Sequence, residues 1–360
     1  MIVAGGGTGG HLFPGLAVAE TAAATRAADV LFIGSTYGIE ATVVPKTRFA
    51  FEAIAIRGVR GRGWRGVVQL AWQLPAALGC AWGLVGRFRP SVVLGVGGYG
   101  SFPVVVAAWT RRIPAVLLEQ NARPGLTNRL LGHLATRVCT TFAQSDRFFP
   151  PGRAVRTGNP VRELKSVQEP MPDHFTIFVF GGSQGAHKLN HAVVGAAALV
   201  APRIRGLRII HQTGAADAEW VERRYSEVGV AAEVVPFIDD MASAYGRANV
   251  VVCRAGATTL AELASVGKPA ILVPYPYAAD DHQRANAEIL VDAGAAQMIL
   301  DADLNADRLA AALAQLADDR ERLDAMGCAV RRLAVPDAAL KVVEVCALVS
   351  SAGGGHGTTL

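Results

Sequence analysis

The strongest constraint on the fold is the recurrence of short, β-branched apolar runs separated by longer alanine- and leucine-rich stretches. The runs are Val30 to Ile33, Val92 to Val96, Ala115 to Leu118, Ile177 to Phe180, Leu207 to His211, Val250 to Cys253 and Ala270 to Val273. Strands of that length, with room for a helix between successive ones, predict βαβ units, hence parallel sheets and the α/β class. Two units open alike. Gly5-Gly6-Gly7-Thr8-Gly9-Gly10 follows a short strand at the start, and Gly181-Gly182-Ser183-Gln184-Gly185 follows the strand Thr176 to Phe180. A glycine-rich strand-to-helix turn in each half predicts two Rossmann-like domains, and 360 residues suit two domains of roughly 100 to 200 residues each. Prolines 150, 151, 160, 170 and 172 mark the linker between a first domain, 1–157, and a second, 158–335. The glycine-rich tail, 353–360, is expected to carry no fold.

A composition of 51% hydrophobic and 18% charged residues excludes a disordered chain or a small disulfide scaffold. Cys80, Cys139, Cys253, Cys328 and Cys346 are scattered, without C-x-x-C or a Cys/His cluster, which predicts a reducing compartment and no structural metal. Met1 runs within a few residues into glycines, with neither a basic segment nor a cleavage site, so no signal peptide is expected and a cytosolic protein is. Charge is unevenly spread: residues 1–160 hold 17 Lys+Arg against 6 Asp+Glu, and the remainder 18 against 24. Residues 53–118 contain no carboxylate but eight arginines: Arg57, Arg60, Arg62, Arg65, Arg87, Arg89, Arg111 and Arg112. Such a face attracts an anionic partner, nucleic acid or lipid. Within it lie twenty uncharged residues, Val67 to Gly86, that carry Trp72 and Trp82. Their length permits a membrane span, but Gln69, Gln73, Pro75, three glycines and arginines on both flanks argue against one. An interfacial segment and a tryptophan-bearing core helix both stay open. No nucleic-acid recognition module is visible, and the aromatics sit among aliphatics, so nucleic acid is not expected as a partner.

Gly5-x-Gly7-x-x-Gly10 matches the dinucleotide fingerprint, in which glycines let backbone N–H groups approach a pyrophosphate. The acidic residue that should hold the ribose is missing, because Ile33 is followed by Gly34, Ser35 and Thr36. Neither turn carries the Gly-Lys-Ser/Thr of a P-loop. A third glycine run, Gly95-Val96-Gly97-Gly98-Tyr99-Gly100-Ser101, closes another strand. Glycine turns at strand C-terminal ends predict a cleft that holds an anion.

Longer motifs are more specific. Gly6-Gly7-Thr8-Gly9-Gly10-His11-Leu12-Phe13-Pro14-Gly15-Leu16-Ala17, Gly97 to Pro103, Glu119-Gln120-Asn121, Gly158-Asn159-Pro160-Val161-Arg162, Gly181 to Ala186, Cys253 to Leu263, Val273-Pro274-Tyr275-Pro276 and Asp280-Asp281-His282-Gln283 closely resemble, in order along nearly the whole chain, the MurG family. That resemblance implies a GT-B fold, two Rossmann-like domains facing a cleft, with a last helix, about 336–352, returning to the first domain. It implies an inverting transferase that moves GlcNAc from UDP-GlcNAc to the 4-hydroxyl of MurNAc in undecaprenyl-diphosphate-MurNAc-pentapeptide (lipid I), giving lipid II for peptidoglycan. It implies no cofactor or metal, other wall-synthesis proteins as possible partners, and a peripheral place on the cytoplasmic face of the bacterial plasma membrane. There an arginine-rich, tryptophan-bearing face would meet anionic lipid and the acceptor, through Arg62, Arg65, Trp72, Trp82, Arg87, Arg89 and Tyr99.

Inverting transfer needs a base, a sugar pocket and stabilisation of the leaving diphosphate. By resemblance, His11 is the base, or a helix-start histidine that only orients the acceptor. Thr8, Gly9 and Gly10 form a donor-contacting turn, and Asn121 touches the sugar. Ser183, Gln184 and Gly185 place helix N-terminal charge near the diphosphate. Arg162 adds formal charge there, the alternative being an interdomain salt bridge. Ala257, Thr258, Thr259, Leu260, Ala261 and Glu262 carry the ribose site, with Glu262 on the hydroxyls, although Thr259-x-x-Glu262 also reads as a capping box. Ile238 resembles the residue whose backbone reads uracil; otherwise it is a buried strand-end isoleucine. Gln283 and His282 would bond the sugar hydroxyls, where an unmatched polar group costs roughly 1 to 3 kcal/mol; otherwise they lie in a surface loop. Leu118 stands where many members have histidine, and His282 where some have glutamine. Asp301-Ala302-Asp303 has the D-x-D spacing of metal-dependent sugar transferases but lies outside these motifs. A UDP-GlcNAc 2-epimerase-like enzyme, a transferase to another acceptor and a non-catalytic scaffold are the competing functions.

Overall fold

A computed structural model describes residues 1–58, 63–161, 164, 173–182 and 185–353 of the chain. They form two compact units, one of Met1–Arg162 with Val335–Leu360 and one of Glu163–Ala334. Arg62, Arg162, Ser183 and Gln184, the tail beyond Gly353 and the side chain of Arg65 lie outside what is described.

The first unit holds a seven-stranded sheet of β1 (Ile2–Gly5), β2 (Leu31–Ser35), β3 (Ala50–Ile54), β4 (Val93–Gly97), β5 (Ala115–Glu119), β6 (Arg137–Thr140) and β7 (Ala154–Arg156). Its order is β3-β2-β1-β4-β5-β6-β7, and every pairing is parallel. The second unit repeats that winding with β8 (Phe175–Phe180), β9 (Leu207–Gln212), β10 (Ala231–Val235), β11 (Val250–Cys253), β12 (Ala270–Leu272) and β13 (Ala296–Met298), in the order β10-β9-β8-β11-β12-β13. Central strands read as unbroken apolar runs because helices cover both faces of a parallel sheet; all four residues of β11 are buried. The edge strands β3 and β10 are largely uncovered instead and each carry a glutamate, Glu52 and Glu233, which discourages further strand addition.

In each sheet the winding reverses beside its first strand, between β1 and β4 and between β8 and β11. Turns beyond strand C-termini at such a reversal are where α/β proteins bind ligands. The glycine runs sit there: Gly5–Gly10 and Gly97–Gly100 in the first unit, Gly181–Gly185 in the second.

Two helices complete the first unit. Gly63–Phe88 turns Ala77, Ala81, Leu84 and Val85 into the core, while Trp72 (81% exposed) and Trp82 (53%) stay outside. The core-helix reading holds for the inner face, and the outer face leaves both tryptophans exposed. The Arg111 guanidinium stacks on Trp82 at 3.6 Å, and Arg87 and Arg89 are exposed at the helix end. Among the described residues no helix is long and apolar enough to cross a membrane. The last helix, Ala338–Gly353, buries Val342, Val343, Cys346 and Val349 against the helix Gly9–Arg26 and the sheet of the first unit.

Candidate active site

In the first unit the turn after β1 is shaped from below by a buried carboxylate. Glu40, 1% exposed, accepts the Gly7 N–H at 2.6 Å with Oε2 and the Ser35 N–H at 2.8 Å with Oε1. A Cβ on Gly6, Gly34 or Gly38 would strike that carboxylate, so the three glycines make its pocket. The turn also leans on the loop after β4: the Gly6 N–H donates to the Gly97 carbonyl at 3.1 Å, and a side chain on Gly98 would collide with the Gly6 carbonyl. Sequence reading missed Glu40, because nothing local to it signals a ligand-turn support.

Thr8, extended at φ −138°, precedes the helix Gly9–Arg26, so the N–H groups of Gly9 and Gly10 fall in the first turn, where a helix supplies no acceptor. His11 completes that turn. Its Nδ1 lies 3.2 Å from Gln120 Oε1, and the Gln120 amide nitrogen donates to the Val96 carbonyl at 3.0 Å. The next residue, Asn121, is pinned through its N–H (2.9 Å) and its amide (3.2 Å) to Glu119 Oε1, while Asn128 donates to Glu119 Oε2 at 2.8 Å. Burial pushes the Glu119 carboxyl up to about 7, against the lowering pull of these hydrogen bonds. Leu118 is fully buried in the core, which suits the apolar residue at this position. The half-buried Tyr99 lays its ring over Gly58.

In the second unit Gly185 (φ +74°) passes so close to the Thr213 carbonyl that no side chain fits. Its N–H closes the turn on the Gly182 carbonyl at 2.9 Å, and the following helix starts only at His187. The expectation that the Gly185 N–H forms part of a helix N-terminus is corrected accordingly. Beneath this turn, Asn190 ties the Thr213 carbonyl (2.9 Å) to Asp217 (2.7 Å), and its oxygen lies 3.1 Å from His211 Nε2. Burial depresses His211 to about 3, so this histidine is structural.

Ile238 lies in the loop after β10, half-buried, and is not a buried strand-end residue. The helix Ala257–Val266 takes Gly256 as its N-cap, three residues ahead of Thr259, so the Thr259–Glu262 capping box does not exist. Glu262 instead accepts from the Tyr245 hydroxyl at 3.0 Å, with Thr258, Thr259 and Ala261 half-buried around it and Ala257 and Leu260 in the core. Gln283 Oε1 accepts two backbone N–H groups, from Ala255 (3.1 Å) and Tyr275 (2.9 Å). That fixes the amide orientation and leaves Nε2, a donor, for a ligand oxygen. His282 Nδ1 donates to the Ala279 carbonyl at 2.7 Å, just after Asp280 and Asp281, both at positive φ of 51° and 52°. Such strain is held only where surrounding structure imposes it.

Asp301 belongs to a different arrangement. It pairs with Arg254 at 2.7 Å and Lys188 at 3.2 Å. Burial raises its carboxyl, yet hydrogen bonds and charge from those two cations outweigh that and hold it low. The D-x-D spacing is thus occupied by an ion pair, and no cluster of three metal-ligating side chains is found among the described residues.

Two parallel sheets of the same winding, each with glycine turns at its reversal and with carboxylate, amide and imidazole groups ordered beside them, define a two-unit α/β protein of the architecture that GT-B glycosyltransferases share. Family models agree: the glycosyltransferase family 28 N-terminal domain matches residues 1–140 and its C-terminal domain residues 176–342, and the chain belongs to that family. The particular relatives are specific. A protein of Anaeromyxobacter dehalogenans (strain 2CP-C), 47% identical over 96% of this chain and 92% of its own length, is named UDP-N-acetylglucosamine--N-acetylmuramyl-(pentapeptide) pyrophosphoryl-undecaprenol N-acetylglucosamine transferase. One of Pelobacter propionicus, with the same name, is 45% identical over 96% of this chain and 98% of its own. The crystal structure of Acinetobacter baumannii MurG superposes with a TM-score of 0.79 at 32% identity, covering 96% of this chain and 98% of that one. The MurG resemblance read from the motifs is borne out. The UDP-GlcNAc 2-epimerase of Neisseria meningitidis, at 14% identity and a TM-score of 0.68, shares the fold alone.

Proposed function

We propose that the chain transfers GlcNAc, with inversion, from UDP-GlcNAc to the 4-hydroxyl of MurNAc in lipid I, giving lipid II. The observation that carries this is the match to transferases of that name along 92% to 98% of their length. His11 takes the proton of the acceptor hydroxyl, since a neutral imidazole is a competent base near pH 7. Thr8, Gly9 and Gly10 offer N–H groups to the donor, and Asn121 is positioned for the sugar by Glu119. Glu262 accepts the ribose hydroxyls, steadied by Tyr245. Gln283 donates to a sugar hydroxyl, His282 lines the same loop, and the Ile238 backbone reads uracil. By the resemblance, Arg162, Ser183 and Gln184 are the groups that stabilise the leaving diphosphate. The exposed tryptophan face of the helix Gly63–Phe88, with Arg87 and Arg89, docks on the anionic cytoplasmic leaflet that carries the acceptor. Arg62, Arg65 and Tyr99 are further candidates for contact with lipid or acceptor, and other wall-synthesis proteins are candidate partners.

The test is transfer of labelled GlcNAc to a lipid I analogue with EDTA present, comparing wild type with Glu262→Ala and His11→Ala. Lipid-linked disaccharide from wild type, strongly reduced in both variants, supports the assignment. UDP-GlcNAc binding without transfer overturns the acceptor assignment and favours an epimerase or a scaffold.

A further inference from the structure

Gln120 has no role in the function above, yet it is 1% exposed and touches the proposed base directly. Its amide nitrogen donates to the Val96 carbonyl at 3.0 Å inside the protein. A carbonyl only accepts, so this contact identifies the nitrogen, and the atom 3.2 Å from His11 Nδ1 is the amide oxygen. An amide oxygen accepts in turn, so Nδ1 of the neutral imidazole carries the hydrogen and Nε2 the lone pair. The same contact orients the ring, which lies against Gly97: turned over, it would set Cδ2 instead of Nδ1 against the Gln120 oxygen and lose the hydrogen bond.

We infer that Gln120 is a positioning residue: relaying the fixed dipole of the Val96 carbonyl at the end of β4, it holds His11 in the Nδ1–H tautomer, so that Nε2 is the atom that takes the acceptor's proton. The catalytic half of this inference rests on His11 being the base; the tautomer half does not. In the step itself the hydroxyl proton passes to Nε2, the oxygen's electron pair forms the bond to the anomeric carbon, and UDP leaves with the electrons of the old glycosidic bond. The resulting imidazolium keeps its Nδ1–H bond to Gln120 throughout, so no rearrangement accompanies the proton transfer. An imidazole without that partner is free to place its hydrogen on Nε2, where it cannot act as a base.

The experiment records long-range proton–nitrogen correlation spectra of the imidazoles in the full chain uniformly labelled with nitrogen-15, His11→Gln identifying the signal. Wild type should show a protonated Nδ1 and an unprotonated Nε2. Gln120→Met should move the proton towards Nε2 and lower kcat by about tenfold to a hundredfold, with KM for UDP-GlcNAc within about twofold. Gln120→Glu keeps an acceptor oxygen for Nδ1 and, with its carboxyl protonated, a donor for the Val96 carbonyl; it should restore the tautomer and most of kcat at a pH where that proton is held. Gln120→Asn, too short to span both partners, repeats the test should the methionine variant fail to fold. An Nε2–H form in wild type, or an unchanged spectrum in both shortened and apolar variants, overturns the tautomer assignment. An unchanged kcat in His11→Gln overturns the base reading and the catalytic half with it, while the wild-type spectrum still decides the tautomer.

Discussion

Replacing Glu40 by glutamine tests whether a carboxylate outside every recognisable motif shapes the first glycine turn. Both of its oxygens accept backbone N–H groups, from Gly7 at 2.6 Å and Ser35 at 2.8 Å. Glutamine has one acceptor oxygen, so one N–H must face an amide NH2 instead. The Ser35 bond is buried and the Gly7 bond only partly so; the cheaper arrangement keeps Ser35 and repels Gly7. Losing one hydrogen bond to a charged group, with water partly replacing it, costs about 1 to 3 kcal/mol. For a unit of this size that lowers Tm by roughly 2 to 12 °C. Glu40→Ala, which leaves the buried Ser35 N–H without its partner, should cost more. Because Gly7 immediately precedes Thr8, Gly9 and Gly10, transfer should fall further than stability does. Thermal melts and transfer kinetics on wild type and both variants give the answer. A glutamine variant that melts with wild type and transfers at the same rate would refute the claim that Glu40 sets the turn.

Tyr245→Phe removes the hydroxyl that donates to Glu262, a loss of about 0.5 to 1.5 kcal/mol; KM for UDP-GlcNAc should rise a few-fold at near-constant kcat, and Glu262→Ala should exceed it in steady-state kinetics. Glu119 makes stability depend on pH. Its folded value of about 7 lies above the ordinary 4.5, so the folded state binds the proton more tightly. Its contribution is present in full below pH 4.5 and is lost as pH rises through 7, by an amount on the order of 3 kcal/mol. Urea midpoints across that range should fall in wild type and flatten in Glu119→Gln; parallel profiles would count against it.

The fold was legible because its signals are local: β-branched runs buried on both faces, and glycines at turns where a side chain collides with backbone. Motif residues such as His11, Asn121, Glu262 and Gln283 were legible through resemblance. Their supports were not. Glu40 and Tyr245 lie outside every motif, Gln120 lies inside one with no role attached, and only tertiary packing brings the three against Gly7, Glu262 and His11. Local pattern also misled in places. Thr259 and Glu262 have capping-box spacing, but the helix begins at Ala257, capped by Gly256, and Asp301 has metal-site spacing but faces Arg254 and Lys188. A spacing rule sees neither the true start of a helix nor the cations that folding delivers.

The last helix has a consequence for how the chain is made. The first unit is interrupted in sequence by the whole of Glu163–Ala334, and its core is completed only by Val342, Val343, Cys346 and Val349, the valines each worth about 1.5 to 3 kcal/mol when fully buried. On a ribosome, then, the half made first is finished last: it waits roughly ten to thirty seconds while the intervening segment is translated, with the helix Gly9–Arg26 uncovered along the strip those residues will seal. The second unit, continuous in sequence, can be complete before its predecessor, and a nascent chain stalled short of Val342 would expose that strip to chaperones or to other copies of itself.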